Sequence, residues 1–354
     1  MPPSKLLLVA MLALLLHSAF SLSSSSLSSS LYTVSITSLP AAPVISYIAG
    51  QTPWPQSFNP AFVEASAGTN GVRGLIVRSQ NCTFTPGTCV HCNVPSDAPN
   101  GTFVGSVLSF AAQASDGTFA TPYLVYAPEP GLDAELRGTE DPRLTYDPTS
   151  GLYHLFYTCY GKGASIALCH STTANPTEPY PGEWTRHGAV TAGKSAALLI
   201  RPSPPHYLYQ GDSSIALWTS PDLYNFTKVN STFITPRADS FDTRLVESGP
   251  NPFILSDGNY IFFHNSANKT ACYHPGYVIL SGVDPSVILT RSESPLLSPT
   301  RDWEVGIAPQ ECNVPCVVFL EAAAPVTGAV DEFDVWFGGS DAVIGTARVK
   351  VTIA

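Results

Sequence analysis

Five times along this chain an apolar opening is followed by a turn containing Gly or Asp, an aromatic-rich run, and a further run that ends in small residues. The units open at FNPAF, DPRLTYD, KSAALL, SGPNPF and NVPCVVFLE, and the last closes with WFGGSDAVIGTARVKV. The spacing is irregular, roughly 50 to 60 residues, a period at which each unit buries its faces only against its neighbours. Within a unit the turns have local causes. DPTSG at 147–151 and LSDGN at 255–259 supply the Asp, Ser and Gly that a hairpin needs. The flanking runs LYHLFYTCY and YIFFHN are aromatic in the manner of strands covered on both faces. Five units of short strands predict an all-β chain folded as a five-bladed β-propeller. A pair of β-sandwiches is the competing arrangement.

Composition enters where it limits the folded body. Lys5 is followed by LLLVAMLALLL and then AFS, the pattern of a signal peptide over 1–21. That apolar run is about half the roughly 20 residues that a membrane span requires, so no membrane association is expected after cleavage. Residues 22–45 begin with SLSSSSLSSS and read as a Ser-rich flexible segment, leaving 46–354 for the propeller. With 32 Pro, 26 Gly and 12% charged residues, the chain has the content of many turns and few helices. A formal net charge of −10 argues against nucleic acid as a partner.

Eight cysteines behind an export signal point to disulfides, and Cys159 and Cys169 flank the turn GKGA so as to face each other across a hairpin. A Cys159–Cys169 disulfide is the expectation. Cys82, Cys89, Cys92 and His91 lie close together, but the second Cys or His pair of a zinc site is absent, and no metal is assigned. Sequons at Asn81, Asn100, Asn225, Asn230 and Asn268 fit a secreted or secretory-pathway glycoprotein.

In a propeller the unit openings line a central funnel, so their polar residues are the candidates for ligand contact. GTEDPRLTYD at 138–147 sets Glu140 and Asp141 before Pro142 and Arg143. Asp141 reads either as a turn residue paired with Arg143 or as a proton donor.

Taken in order, FNPA at 58–61, GLIVR at 74–78, EDPRLT at 140–145, KSAALL at 194–199, SGPNP at 248–252 and GGSDAVIGTA at 338–347 resemble glycoside hydrolase family 130, the mannoside phosphorylases and mannosidases. The resemblance spans nearly the whole body and implies a five-bladed propeller that cleaves β-mannosides with inversion, without a cofactor. It places the catalytic acid at Asp141 and the sugar contacts at Asn59, Arg78 and Asp341. Arg143 is expected to hold the geometry of the acid. The chemistry calls for a protonated carboxyl of raised pKa. Trp54, Tyr160, Tyr273 and Trp336 offer stacking faces, although such aromatics in a propeller are more often core.

Phosphorylases of the family surround inorganic phosphate with two arginines, a lysine and a histidine. Here Lys194 stands at the first arginine and His264 at the histidine. Gln210, Gly211 and Asp212 occupy the second arginine's stretch, and Phe253, Ile254 and Leu255 the lysine's. Each lost charge-assisted contact removes roughly 1.5–3 kcal/mol from phosphate binding. Glu247 and Glu321 stand at unit openings, and either could activate water instead, or simply pair with a neighbouring Arg such as Arg244. The expected function is therefore hydrolysis of an oligosaccharide. Phosphorolysis with phosphate as cosubstrate, a glycan-binding propeller without catalysis, and an arabinan- or fructan-cleaving propeller are the alternatives.

Overall fold

The computed structural model describes residues 31–48, 54–80, 105–306 and 314–354, together with the backbone of 82–83 and 91–92. The signal segment, the sequons at Asn81 and Asn100, and the side chains of the Cys82, Cys89, Cys92 and His91 group lie outside the described residues. The regular structure described is nearly all strand, arranged as a five-bladed β-propeller. Blade one runs outward from Gln56–Val63 through Gly74–Gln80 and Ser106–Ala112 to Tyr123–Tyr126. Blade two comprises Gly138–Asp147, Leu152–Tyr160, Ile166–Thr173 and Thr185–Ala192. Blade three comprises Ala196–Leu199, His206–Gln210, Ile215–Ser220 and Thr227–Ile234, and blade four Leu245–Ser248, Tyr260–Ala267, Tyr273–Leu280 and Ile288–Arg291. Blade five takes Val318–Pro325, Glu332–Gly339 and Val343–Ile353 from the C-terminal end.

The outermost strand of blade five comes from the other end of the chain. Tyr32–Ser38 pairs antiparallel with Val343–Ile353, Tyr32 opposite Ile353, and closes the ring. This corrects the reading of 22–45 as flexible for Tyr32–Ser38. Serine content concealed a period-2 pattern: Tyr32, Val34 and Ile36 alternate with Thr33, Ser35 and Thr37 and pack on the core shared by blades four and five. The Tyr32 hydroxyl also donates to Asp257 Oδ2 at 2.5 Å. Tyr32→Ala removes a buried ring and this donor, so it should cost about 3 kcal/mol of stability. The midpoint of urea denaturation checks this, and an unchanged midpoint would show that the closing strand contributes nothing.

Apolar packing follows the seams. Five buried clusters fill, in turn, the contacts between blades one and two, two and three, three and four, four and five, and five and one. Trp336 belongs to the last of these, 2% exposed and stacked on Phe62 at 5.3 Å, so it is core and not a ligand platform. The expected Cys159–Cys169 disulfide is present, and a second, Cys272–Cys316, ties blade four to the chain entering blade five.

One seam carries buried histidines. His154 Nδ1 lies 3.1 Å from His170 Nε2, the two rings stack, and His187 and Tyr224 pack against His170. Burial pushes His154 down to about 4 and His170 to about 3, with neighbouring histidines adding to the depression and Asp147 opposing it at His154. Folded-state values below 6.5 mean that the unfolded chain binds these protons more tightly. The stabilisation is therefore complete above about pH 6.5 and is withdrawn as pH falls from there towards 4, about 3 kcal/mol for His154 alone. Urea midpoints measured from pH 7 to pH 4 should fall, and His170→Phe should flatten that fall. Parallel acid limbs in the two proteins would exclude the stack as its source.

Candidate active site

The inner strands do not deliver their polar residues by simple alternation. Pairing register shifts between Phe58 and Pro60, between Glu140 and Arg143, and between Leu320 and Ala322, so Asn59, Asp141 and Glu321 each lie within a bulge. Asn59, Asp141, Ser195 and Asp341 have φ of 48°, 48°, 57° and 51°, left-handed values that Asn and Asp tolerate better than most residues. Positive φ occurs elsewhere in the described chain, but these four gather around one group of charged side chains, as strained backbone does at functional sites.

Asp141 is at the centre. Its Oδ1 accepts from Asn59 Nδ2 at 2.7 Å and from Arg78 Nη1 at 2.9 Å, while Lys194 Nζ lies 3.8 Å from Oδ2. Arg78 is a fork, and its Nη2 binds Glu140 Oε1 at 2.7 Å, a contact that Ser106 Oγ reinforces. Glu140 is thus a site residue that sequence reading missed, although its place next to Asp141 was a signal. Asn59 can lie where it does because residue 338 is glycine: a Cβ there would fall 2.7 Å from Asn59 Oδ1. Asp341 sits in the turn that follows, and its carbonyl accepts from Gln56 Nε2 at 2.6 Å, which fastens blade five to blade one.

Lys194 joins two carboxylates. Its Nζ is 3.3 Å from Glu247 Oε1, which also accepts from Ser195 Oγ at 2.5 Å. The separation of Asp141 Oδ2 and Glu247 Oε1 therefore cannot exceed 7.1 Å, the sum of the two lysine distances. That limit admits the lower end of the roughly 6.5–9.5 Å used by inverting pairs of carboxylates as well as the roughly 5–5.5 Å of retaining pairs, so it does not itself choose between them.

Five carboxylates, Glu140, Asp141, Glu247, Glu321 and Asp341, share three cations, Arg78, Arg143 and Lys194. Burial raises Asp141, but Arg78 and Lys194 outweigh it and hold its carboxyl well below the usual range. This reverses the expectation of a raised pKa: in the protein without a ligand, Asp141 is held in the ionised form. The others go the opposite way. Burial pushes Asp341 up to about 6 against the pull of Arg78, and raises Glu140, Glu247 and Glu321 against Arg78, Lys194 and Arg143 respectively.

Arg143 forms a layer beneath this group. It donates to the carbonyls of Ser248 and Gly249 at 3.0 Å each, and its Nη1 lies 2.5 Å from Glu321 Oε1, off the direction of a hydrogen bond. It does not pair with the Asp141 carboxylate, whose cations are Arg78 and Lys194, so it steadies the strand by its backbone contacts. Glu321 has Arg143, not Arg244, as its ion-pair partner. On the far side of that pair opens a cavity of about 460 Å³ lined by Phe62, Tyr146, Tyr153 and Phe253.

His264 is elsewhere. It is fully buried beside Phe241, and the charges that act on it are those of Arg291, Asp242 and Arg237. Its strand pairs His264 with Ser248 and Asn265 with Glu247, so alternation sends it to the face opposite Glu247. It does not join Lys194 in an anion site.

Residues 114–353 match a family model, Glyco_hydro_130, described as beta-1,4-mannooligosaccharide phosphorylase. A 1,2-beta-oligomannan phosphorylase of Thermoanaerobacter sp. (strain X514) is 30% identical over 225 residues, 62% of this chain and 70% of that protein. A beta-1,2-mannobiose phosphorylase of the same strain is 27% identical over 224 residues, 62% and 69% of the two chains. Among solved structures, one from work finding that the GH130 family of mannoside phosphorylases contains glycoside hydrolases that target beta-1,2 mannosidic linkages in Candida mannan superposes with a TM-score of 0.70. It covers 88% of this chain and 92% of its own at 23% identity, which speaks for the fold.

Proposed function

Since this chain belongs to glycoside hydrolase family 130, we propose that it cleaves β-mannosidic bonds of an oligosaccharide with inversion, with water accepting the mannosyl group. The observation that carries this reading is Glu247, held on Lys194 within 7.1 Å of Asp141. In the proposed mechanism Asn59, Arg78 and Asp341 bind the hydroxyls of the mannosyl ring and fix it against Asp141. Asp141 supplies the proton to the leaving oxygen. It takes that proton from Glu140 or Asp341, which burial pushes towards the protonated form, as the sugar displaces water from the cluster. Glu247 takes a proton from water on the opposite face, and its raised pKa strengthens it as a base. Lys194 keeps the acid and the base in register.

Phosphorolysis is the second reading, and the named relatives, both phosphorylases, favour it over hydrolysis. The charges of the site favour water. Phosphate would enter a group of five carboxylates facing three cations, with His264 turned away. Export and glycosylation are part of the proposal, supported by exposed Asn225 and Asn230 on or beside the outer strand of blade three. The deciding experiment incubates the protein with β-1,2- and β-1,4-mannooligosaccharides, with and without inorganic phosphate. Release of free mannose independent of phosphate is expected. Strictly phosphate-dependent formation of mannose 1-phosphate would replace hydrolysis by phosphorolysis.

A further inference from the structure

The seam between blades four and five carries a tyrosine that the mechanism does not use. In blade four, Leu245, Ala267 and Tyr273 form one cross-strand row and Glu247, Asn265 and Pro275 the next row on the same face. Asn265 exchanges hydrogen bonds with the backbone of Leu320, so this face is turned to blade five. Tyr273 thus stands one row from Glu247. Its phenol responds to Glu247, Lys194 and Asp341 together, and it is neither buried nor fully exposed. Three contacts fix its place: its N–H donates to the Cys316 carbonyl at 2.8 Å, it bridges in parallel to Val317, and its ring meets Phe319 edge-on at 5.9 Å. The Cys272–Cys316 disulfide joins the acceptor of that hydrogen bond to the residue preceding its donor.

We propose that the Cys272–Cys316 disulfide is a positioning element that holds Tyr273 as a sugar-contacting wall beside Glu247, so that an oligosaccharide binds against the seam of blades four and five. The reason is geometric: without the covalent tie, the chain entering blade five is held at Tyr273 only by the short backbone bridge at Cys316 and Val317 and one ring contact. The proposal rests on the reading of the site as a mannoside site.

Its test is a double-mutant cycle. Tyr273→Ala should raise KM for a β-mannooligosaccharide about tenfold, the loss of one aromatic contact, with kcat within threefold. Cys272→Ala/Cys316→Ala should raise KM in the same sense, and combining it with Tyr273→Ala should add nothing. Cys159→Ala/Cys169→Ala, which also loses a disulfide, should leave KM unchanged. Additive effects, or an unchanged KM in Tyr273→Ala, would overturn the proposal. Should the Cys272 pair variant not fold, Phe319→Ala replaces it in the cycle. If the wild-type protein neither binds nor cleaves a mannoside, the preceding reading fails, and the staple is judged by the alkaline absorbance titration of Tyr273, obtained by difference from Tyr273→Phe. Burial and then Glu247 raise that phenol above the ordinary value, and loss of the disulfide should bring it down. An unmoved titration would refute the staple.

Discussion

Asp141→Asn should lower kcat on β-mannooligosaccharides by about 10³-fold with the fold intact, as expected when a general acid is lost. The substitution is mild in every respect but one. Asn tolerates the left-handed φ of 48° found here, and its amide oxygen can still accept from Asn59 and Arg78. What disappears is the proton and the charge that Arg78 and Lys194 face. A mannose-binding measurement and a thermal melt close to wild type would show that the loss is chemical. Activity within threefold of wild type would remove Asp141 from the reaction.

Glu247→Gln should lower hydrolysis by about 10²- to 10³-fold. The amide can still accept from Ser195, so the local structure is kept, while the group that deprotonates water is gone. Sodium azide should then restore turnover. Azide needs no deprotonation, and its attack on the anomeric carbon as Asp141 protonates the leaving oxygen yields α-mannosyl azide from a β-mannoside. The same variant separates the two acceptors. Removing one negative charge beside Lys194 makes phosphate easier to hold, so a phosphorylase would keep or gain phosphate-dependent activity. Loss of all turnover, unrelieved by azide, would move the base to Glu321 or elsewhere.

Much of the site could be seen in the unit openings because in a propeller a local pattern has a fixed global address. An opening residue reaches the funnel whichever blade it comes from, so Asn59, Asp141, Lys194 and Glu247 could be grouped from the sequence, whereas Arg78, on the second strand of blade one, was placed by the family resemblance alone. His264 failed by the same logic. It lies on the second strand of its blade, where a residue's face is set by register, and register depends on the partner strand. Glu321 and Glu247 looked equivalent as candidates for the base. Their cations separate them: Glu321 pairs with Arg143, whereas Lys194 joins Glu247 to Asp141.

By itself the sequence determined the all-β class, the five repeated units, the hairpin disulfide and the carboxylate at Asp141, because these depend on spacing along one strand or between neighbouring ones. Only the tertiary structure decided that Tyr32–Ser38 closes the last blade, that Cys272 meets Cys316, and that Asp141 is ionised in the unliganded site while Asp341 and the three glutamates are pushed towards the neutral form. Each is a long-range effect. The ring brings together residues up to about three hundred positions apart, and a carboxyl's charge state is fixed by the cations and the burial that this closure supplies.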